Sequence, residues 1–163
     1  MPSRTSRVLL VLVLLAAGDY GIYRLTRPPL DDRTQIQNLI LKAASSLEQQ
    51  RVKTFMTVVA DDYHDGTYTK AEIETLVRGA VLQSGEIRVV PYLRGDVQVQ
   101  GTTATATIEA EVTVASRQPA GSPAEPTLAR YTIEMALSKG RHGWQVTSAR
   151  GWESAQAQFG GEM

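Results

Sequence analysis

The pattern that most restricts this chain is the alternation between Thr103 and Ala115. Ala104, Ala106, Ile108, Ala110, Val112 and Val114 hold the even positions, and Thr103, Thr105, Thr107, Glu109, Glu111 and Thr113 the odd ones. A period of two belongs to an extended strand whose successive side chains face opposite ways, one side dry and the other wet. The rhythm returns at Ala129, Tyr131, Ile133, Met135 and Leu137, with Arg130, Thr132, Glu134, Ala136 and Ser138 between them. Long one-sided strands imply an antiparallel sheet, and its apolar side requires cover from other elements.

The cover is expected from helices upstream. One begins at Asp32, with Gln35 in capping-box spacing and Ile36, Leu39, Ile40, Ala43 and Leu47 on one face. A second, shorter segment carries Val52, Phe55, Met56 and Val59. Glu48-Gln49-Gln50-Arg51 interrupts the stripe before it, so the two helices are either separate or one bent rod. Asp61 and Asp62 oppose the dipole at a helix C-terminus, which places the end near Ala60. A third helix opens with Thr69 and Glu72 as a capping box, runs through Ile73, Leu76, Val77 and Ala80, and stops at Ser84-Gly85.

Further strands are expected over Ile87–Leu93 and Val97–Val99. Pro91, which has no N–H for the ladder, favours an edge position or a bulge. Arg94-Gly95-Asp96 reads equally as a turn or a kink, and Gln100-Gly101-Thr102 as a hairpin turn. Arg117 to Thr127 contains Pro119, Gly121, Pro123 and Pro126, the composition of a surface loop. Gly140-Arg141-His142-Gly143 turns the chain into a last strand holding Trp144, Val146 and Trp152.

The N-terminus is of another kind. Arg4 and Arg7 precede ten apolar residues, Val8 to Ala17, and Ala16-Ala17-Gly18 offers small residues for cleavage before Asp19. Residues 1–27 therefore read as a secretory signal or as an uncleaved anchor running to about Leu25, with a buried cytoplasmic helix as the third alternative. The first two place the rest of the chain on the non-cytoplasmic side, in the cell envelope or secreted. Pro28-Pro29 stiffens a spacer over 28–31, the domain proper spans 32–153, and 154–163 form a tail.

Charge and cysteine usage exclude several functions. The leader holds four arginines and one acid of the chain's 17 bases and 17 acids, so 13 bases face 16 acids in the remainder, a net of −3. A mildly acidic domain carries no electrostatic footprint for nucleic acid. With no cysteine there are no disulfides, no thiolate nucleophile and no lipid-modified N-terminal cysteine.

The order of elements from Ile36 to Trp152 resembles the nuclear transport factor 2-like superfamily, the cystatin-like cone fold shared with ketosteroid isomerase and polyketide cyclases. The resemblance rests on the helix pair ending in Ala60-Asp61-Asp62-Tyr63 and the capped helix from Thr69. It rests also on Val97 to Ala104 at the hairpin and on Gly143-Trp144-Gln145-Val146. It implies an α+β fold in which three N-terminal helices pack on a curved antiparallel sheet of about four long strands, wrapped round the first helix with a pocket at the open end. Members of that superfamily include isomerases, dehydratases, binding domains and dimerisation modules, so the fold alone does not carry a function.

Tyr63, His64 and Asp65 are the one stretch joining a phenol, an imidazole and a carboxylate. As chemistry, Asp65 or His64 serves as general base and Tyr63 polarises a carbonyl, worth roughly 10²–10⁴ in rate. As structure, Tyr63 packs, Asp65 caps the turn at Gly66, and His64 is solvated. Only His64 and His142 are histidines, and Asp61, Asp62 and Asp65 lack the spacing of a calcium loop, so no metal or cofactor is expected. Trp144 and Trp152 are expected as core anchors, and the Thr/Glu face of Thr103 to Thr113 is either solvated or a dimer surface. The functional expectation is a non-catalytic envelope domain binding a small apolar ligand or a protein partner. The alternative is an isomerase- or dehydratase-like enzyme built on Tyr63, His64 and Asp65.

Overall fold

The computed structural model describes residues 30–116 and 126–152. The expected leader, most of the Arg117–Thr127 loop and the C-terminal tail lie outside the described residues. The described residues from Asp32 onward form one compact unit. Its elements are α1 (Asp32–Glu48), α2 (Val52–Met56), α3 (Lys70–Gln83), β1 (Ser84–Leu93), β2 (Gln98–Gln100), β3 (Thr103–Ser116), β4 (Thr127–Gly140) and β5 (Gly143–Arg150). Among the described residues no helix is long and apolar enough to cross a membrane.

The two alternating stretches pair as their parity requires. β3 and β4 run antiparallel with Ala104 opposite Leu137, Ala106 opposite Met135, Ile108 opposite Ile133 and Ala110 opposite Tyr131. All of these are buried except the half-buried Ile133, and the intervening Thr, Glu and Arg side chains form the outer face. The order is β1-β3-β4-β5, with the short β2 extending β1's side of β3. Pro91 sits on the edge strand β1 opposite Ala110, where its missing N–H costs no ladder bond. Arg94-Gly95-Asp96 is a kink: β1 and β2 both pair antiparallel with β3, and the Arg94 N–H still donates to the Thr107 carbonyl at 2.8 Å.

The apolar stripe of α1 lies over this sheet. Ile36 and Ile40 join Ala104, Ala106, Ile108, Met135, Leu137, Trp144 and Val146 in one core cluster. Full burial of an isoleucine stabilises by about 1.5–3 kcal/mol, which makes this contact the main tie between the two halves. Polar bonds fix both ends of the helix. The Asp32 carboxylate, positioned by sequence as a cap, accepts from Lys139 Nζ at 2.6 Å and Trp144 Nε1 at 3.0 Å on the β4–β5 hairpin. At the other end Glu48 Oε1 accepts from the Val89 N–H at 3.0 Å, and Gln50 Nε2 donates to the Gly85 carbonyl at 2.7 Å.

Three boundaries differ from the sequence expectation. The second helix stops at Met56, because after a turn at Thr57-Val58 the residues Val59 and Ala60 run along β5 instead. Val59 bridges Val146 in parallel, the Val146 N–H donates to Val58 at 2.8 Å, and the Ala60 N–H donates to Val146 at 2.9 Å. The third helix stops at Ser84-Gly85 as expected, but β1 begins at Ser84, ahead of the expected Ile87. α3 passes directly into β1, with Ser84 Oγ donating to the Ala80 carbonyl at 2.7 Å and a register shift between Ser84 and Glu86. Trp152 lies outside the last strand, since β5 ends at Arg150 and the chain turns at Gly151, φ 91°.

Candidate functional site

The phenol, imidazole and carboxylate of Tyr63, His64 and Asp65 lie where the chain leaves β5's margin and turns into α3. The His64 N–H donates to the Thr147 carbonyl at 3.0 Å, and His64 bridges Thr69 across the turn. Gly66, at φ 101°, reverses the chain between them. Beyond the turn, Glu72 Oε2 accepts from both the Thr69 N–H and Thr69 Oγ1 at 2.7 Å, the capping box expected from the sequence.

Two of the three groups meet. Tyr63 Oη donates to Asp65 Oδ2 at 2.9 Å, while Asp65 Oδ1 accepts the Thr67 N–H at 2.9 Å and the Tyr68 N–H at 2.7 Å. Both carboxylate oxygens are thus committed within the turn. Partial burial by itself raises the Asp65 pKa, but the Tyr68 and Thr67 amides and the Tyr63 hydroxyl outweigh it and hold it below the usual carboxylate range. The Tyr63 phenol moves the other way, raised by burial and then by the carboxylate it donates to. His64 is exposed. Tyr68 stacks at a tilt on Trp152, ring centroids 5.2 Å apart, and Trp152 Nε1 donates to the Ala149 carbonyl at 3.2 Å. The arrangement is a braced turn with an aromatic clasp, and its carboxylate is a weakened base.

The other candidates are placed separately. Asp61 is bound by Lys70 Nζ at 2.7 Å, and that ammonium also donates to the Val59 carbonyl at 2.8 Å. Asp62 and His142 are exposed. Among the described residues no three His, Cys, Asp or Glu side chains converge as a metal site. Trp144 is buried in the core, with the Lys139 ammonium 5.8 Å from its ring centroid.

The sheet offers two further features. A hollow of about 370 Å³ opens on the outer face, lined by Tyr92, Glu109, Ala110, Glu111, Arg130, Tyr131 and Thr132. Register places the side chains of Ala110 and Tyr131 on the opposite, concave side, so they give the hollow its backbone floor. Its rim carries the pairs Glu111–Arg130 at 2.8 Å and Glu109–Arg94 at 2.5 Å. On the concave side Tyr131 is buried, and among the described residues its hydroxyl has no hydrogen-bond partner. Sequence reasoning did not single it out, although among the described residues it is the one hydroxyl-bearing residue at the buried positions of β3 and β4.

No family model and no curated protein matches the sequence. Solved structures do match. A candidate aromatic ring hydroxylase from Novosphingobium aromaticivorans is 16% identical, with TM-score 0.62 over 76% of this chain and 89% of that one. A candidate dehydratase of the nuclear transport factor 2-like family from Streptomyces avermitilis is 14% identical, with TM-score 0.64 over 75% and 96%. A ketosteroid isomerase-like protein from Erwinia carotovora atroseptica is 15% identical, with TM-score 0.57 over 74% and 94%. The chain has the nuclear transport factor 2-like fold. At these identities the likeness is one of architecture, and the three neighbours are named for three different chemistries. Within this fold Ile36 and Ile40 of the first helix fill the dry side of the sheet with Met135 and Leu137. The Tyr63–Asp65 turn lies beside β5, on the far side of β4 from Ala110.

Proposed function

We propose that this chain is a non-catalytic binding domain for a small, largely apolar ligand, carried to the cell envelope by its N-terminal leader. One observation carries the reading: the carboxylate best placed to act as a base, Asp65, spends both oxygens inside its own turn. The other described carboxylates with displaced pKa values, Asp32, Asp61 and Glu72, are also lowered, each by hydrogen bonds from neighbours. A general base or acid working near neutral pH is usually shifted upward. The test is organic extraction and mass spectrometry of the purified full-length protein, before and after prolonged incubation. An apolar molecule recovered unchanged is the expected result. Its conversion by wild type but not by Asp65→Asn supports the isomerase- or dehydratase-like alternative. Delivery is tested by fractionation and N-terminal sequencing, with recovery in the cytoplasm counting against it.

A protein partner is favoured at one place, the outer sheet face. Its acids and arginines alternate across strands, and Tyr92 stands exposed beside the hollow, so the surface is complementary to a second copy of itself. Sedimentation velocity tests this, and a monomer at high concentration removes it.

A further inference from the structure

The hollow on the outer face opens among side chains that cross three strands in two rows. Register sets Tyr92, Glu109 and Thr132 side by side on β1, β3 and β4, with Val90, Glu111 and Arg130 in the next row. Its volume of about 370 Å³ falls within the range of small-molecule sites. β3 is paired on both sides here, so its backbone offers an occupant no free amide or carbonyl. Recognition falls to the side chains.

Those side chains are of three kinds. Glu109 and Glu111 are each held by an arginine, Arg94 and Arg130, so charge is balanced around the hollow. Each pair keeps capacity for other partners, since a carboxylate has several acceptor sites and a guanidinium several N–H groups. Thr132 adds an exposed hydroxyl. Tyr92 is 51% exposed, and among the described strand residues it is the one aromatic ring on this face.

We propose that this hollow is a binding site for a neutral saccharide. A pyranose ring carries a face of C–H groups that lies against the electron-rich face of Tyr92. Its neighbouring hydroxyls donate to the carboxylates and accept from the guanidinium and threonine groups, bonds strengthened by the charge on the protein side. A charged occupant fits poorly, because either sign meets a like charge already committed to an ion pair. The site lies on the opposite face of the sheet from the core and is independent of the apolar-ligand reading and of Asp65.

The test titrates the full-length protein with cellotriose and chitotriose, both neutral, and with the anionic trigalacturonate, followed by saturation-transfer difference NMR. At least one neutral sugar should bind, and trigalacturonate should not. Tyr92→Ala, which removes the stacking platform, and Thr132→Val, which removes a hydroxyl, should each weaken binding about three- to tenfold. Leu41→Ala, a truncation of another exposed apolar side chain, should leave it within about twofold. Tyr92 and Thr132 are at the surface, so both variants should melt within about 3 °C of wild type, which separates lost binding from lost folding. Sugar binding indifferent to Tyr92→Ala overturns the proposal, as does equal binding of trigalacturonate. So does the absence of neutral sugar binding at millimolar concentration. If Tyr92→Ala then alters sedimentation, the ring belongs to a contact between copies instead.

Discussion

Replacing Gly151 with alanine should break the junction between sheet and clasp, and the structure sets the size of the loss. Gly151 has φ 91°, and a Cβ built there would collide with the Thr132 carbonyl oxygen and lie 3.2 Å from its carbon. Two costs add. Holding an L-residue in this left-handed region costs about 1–2 kcal/mol. Moving the backbone away from β4 by about an ångström costs a further 1–3 kcal/mol, as overpacking does. A total of about 2–5 kcal/mol corresponds to a fall in Tm of roughly 8–20 °C for a domain of this size. Gly95→Ala is the internal control, since Gly95 also has positive φ, 73°, but nothing lies within 4 Å of its Cβ position. It should lose only the conformational part, about 1–2 kcal/mol. Circular dichroism melts measure both, and Trp152 fluorescence reports whether the ring leaves Tyr68. If the two variants melt within about 3 °C of one another, the steric argument at Thr132 is refuted.

Ile36→Ala, at a position with no exposed surface, should cost about 3–4 kcal/mol by urea titration, whereas Leu41→Ala, 57% exposed, should stay within about 0.5 kcal/mol. Asp65→Ala should cost about 2 kcal/mol, because it removes three hydrogen bonds and strands the buried Tyr63 hydroxyl, and Tyr63→Phe should cost about 1 kcal/mol. The folded-state pKa of Asp65 is lowered, so its contribution is complete above the unfolded value of about 3.9 and is lost as pH falls through the folded value. The gap between melts of wild type and Asp65→Asn should therefore be full above about pH 5 and begin to close only as pH falls below about 3.9, and a gap constant down to the acid limit would sink the assignment.

Much of the sheet was legible because its information is local. From Ala104 to Val114 every second residue announces its side, and the same parity places Leu137 and Met135 opposite alanines. Pro91 declared an edge through its missing donor, and Thr69 with Glu72 declared a helix start, each within a few residues. What escaped is written over long distances. Val59 meets Val146, and Asp32 meets Lys139 and Trp144, with no neighbouring residue to signal either encounter. Val59 continues the 3.6-residue stripe of Val52, Phe55 and Met56, so the local pattern favoured helix where tertiary pairing imposed extended chain. Tyr131 was legible as a buried position but not as an unpaired donor, because that property belongs to its surroundings.

The short run from Val58 to His64 has a consequence for biosynthesis. By hydrogen-bonding along β5, it occupies the margin of the last strand, the row of bare amides and carbonyls through which sheets stick to one another. Those residues leave the ribosome more than eighty positions before Val146. The guard of this margin is therefore already made when the strand it guards emerges, and a fragment starting after Tyr68 would be born with that flank open and inclined to clump.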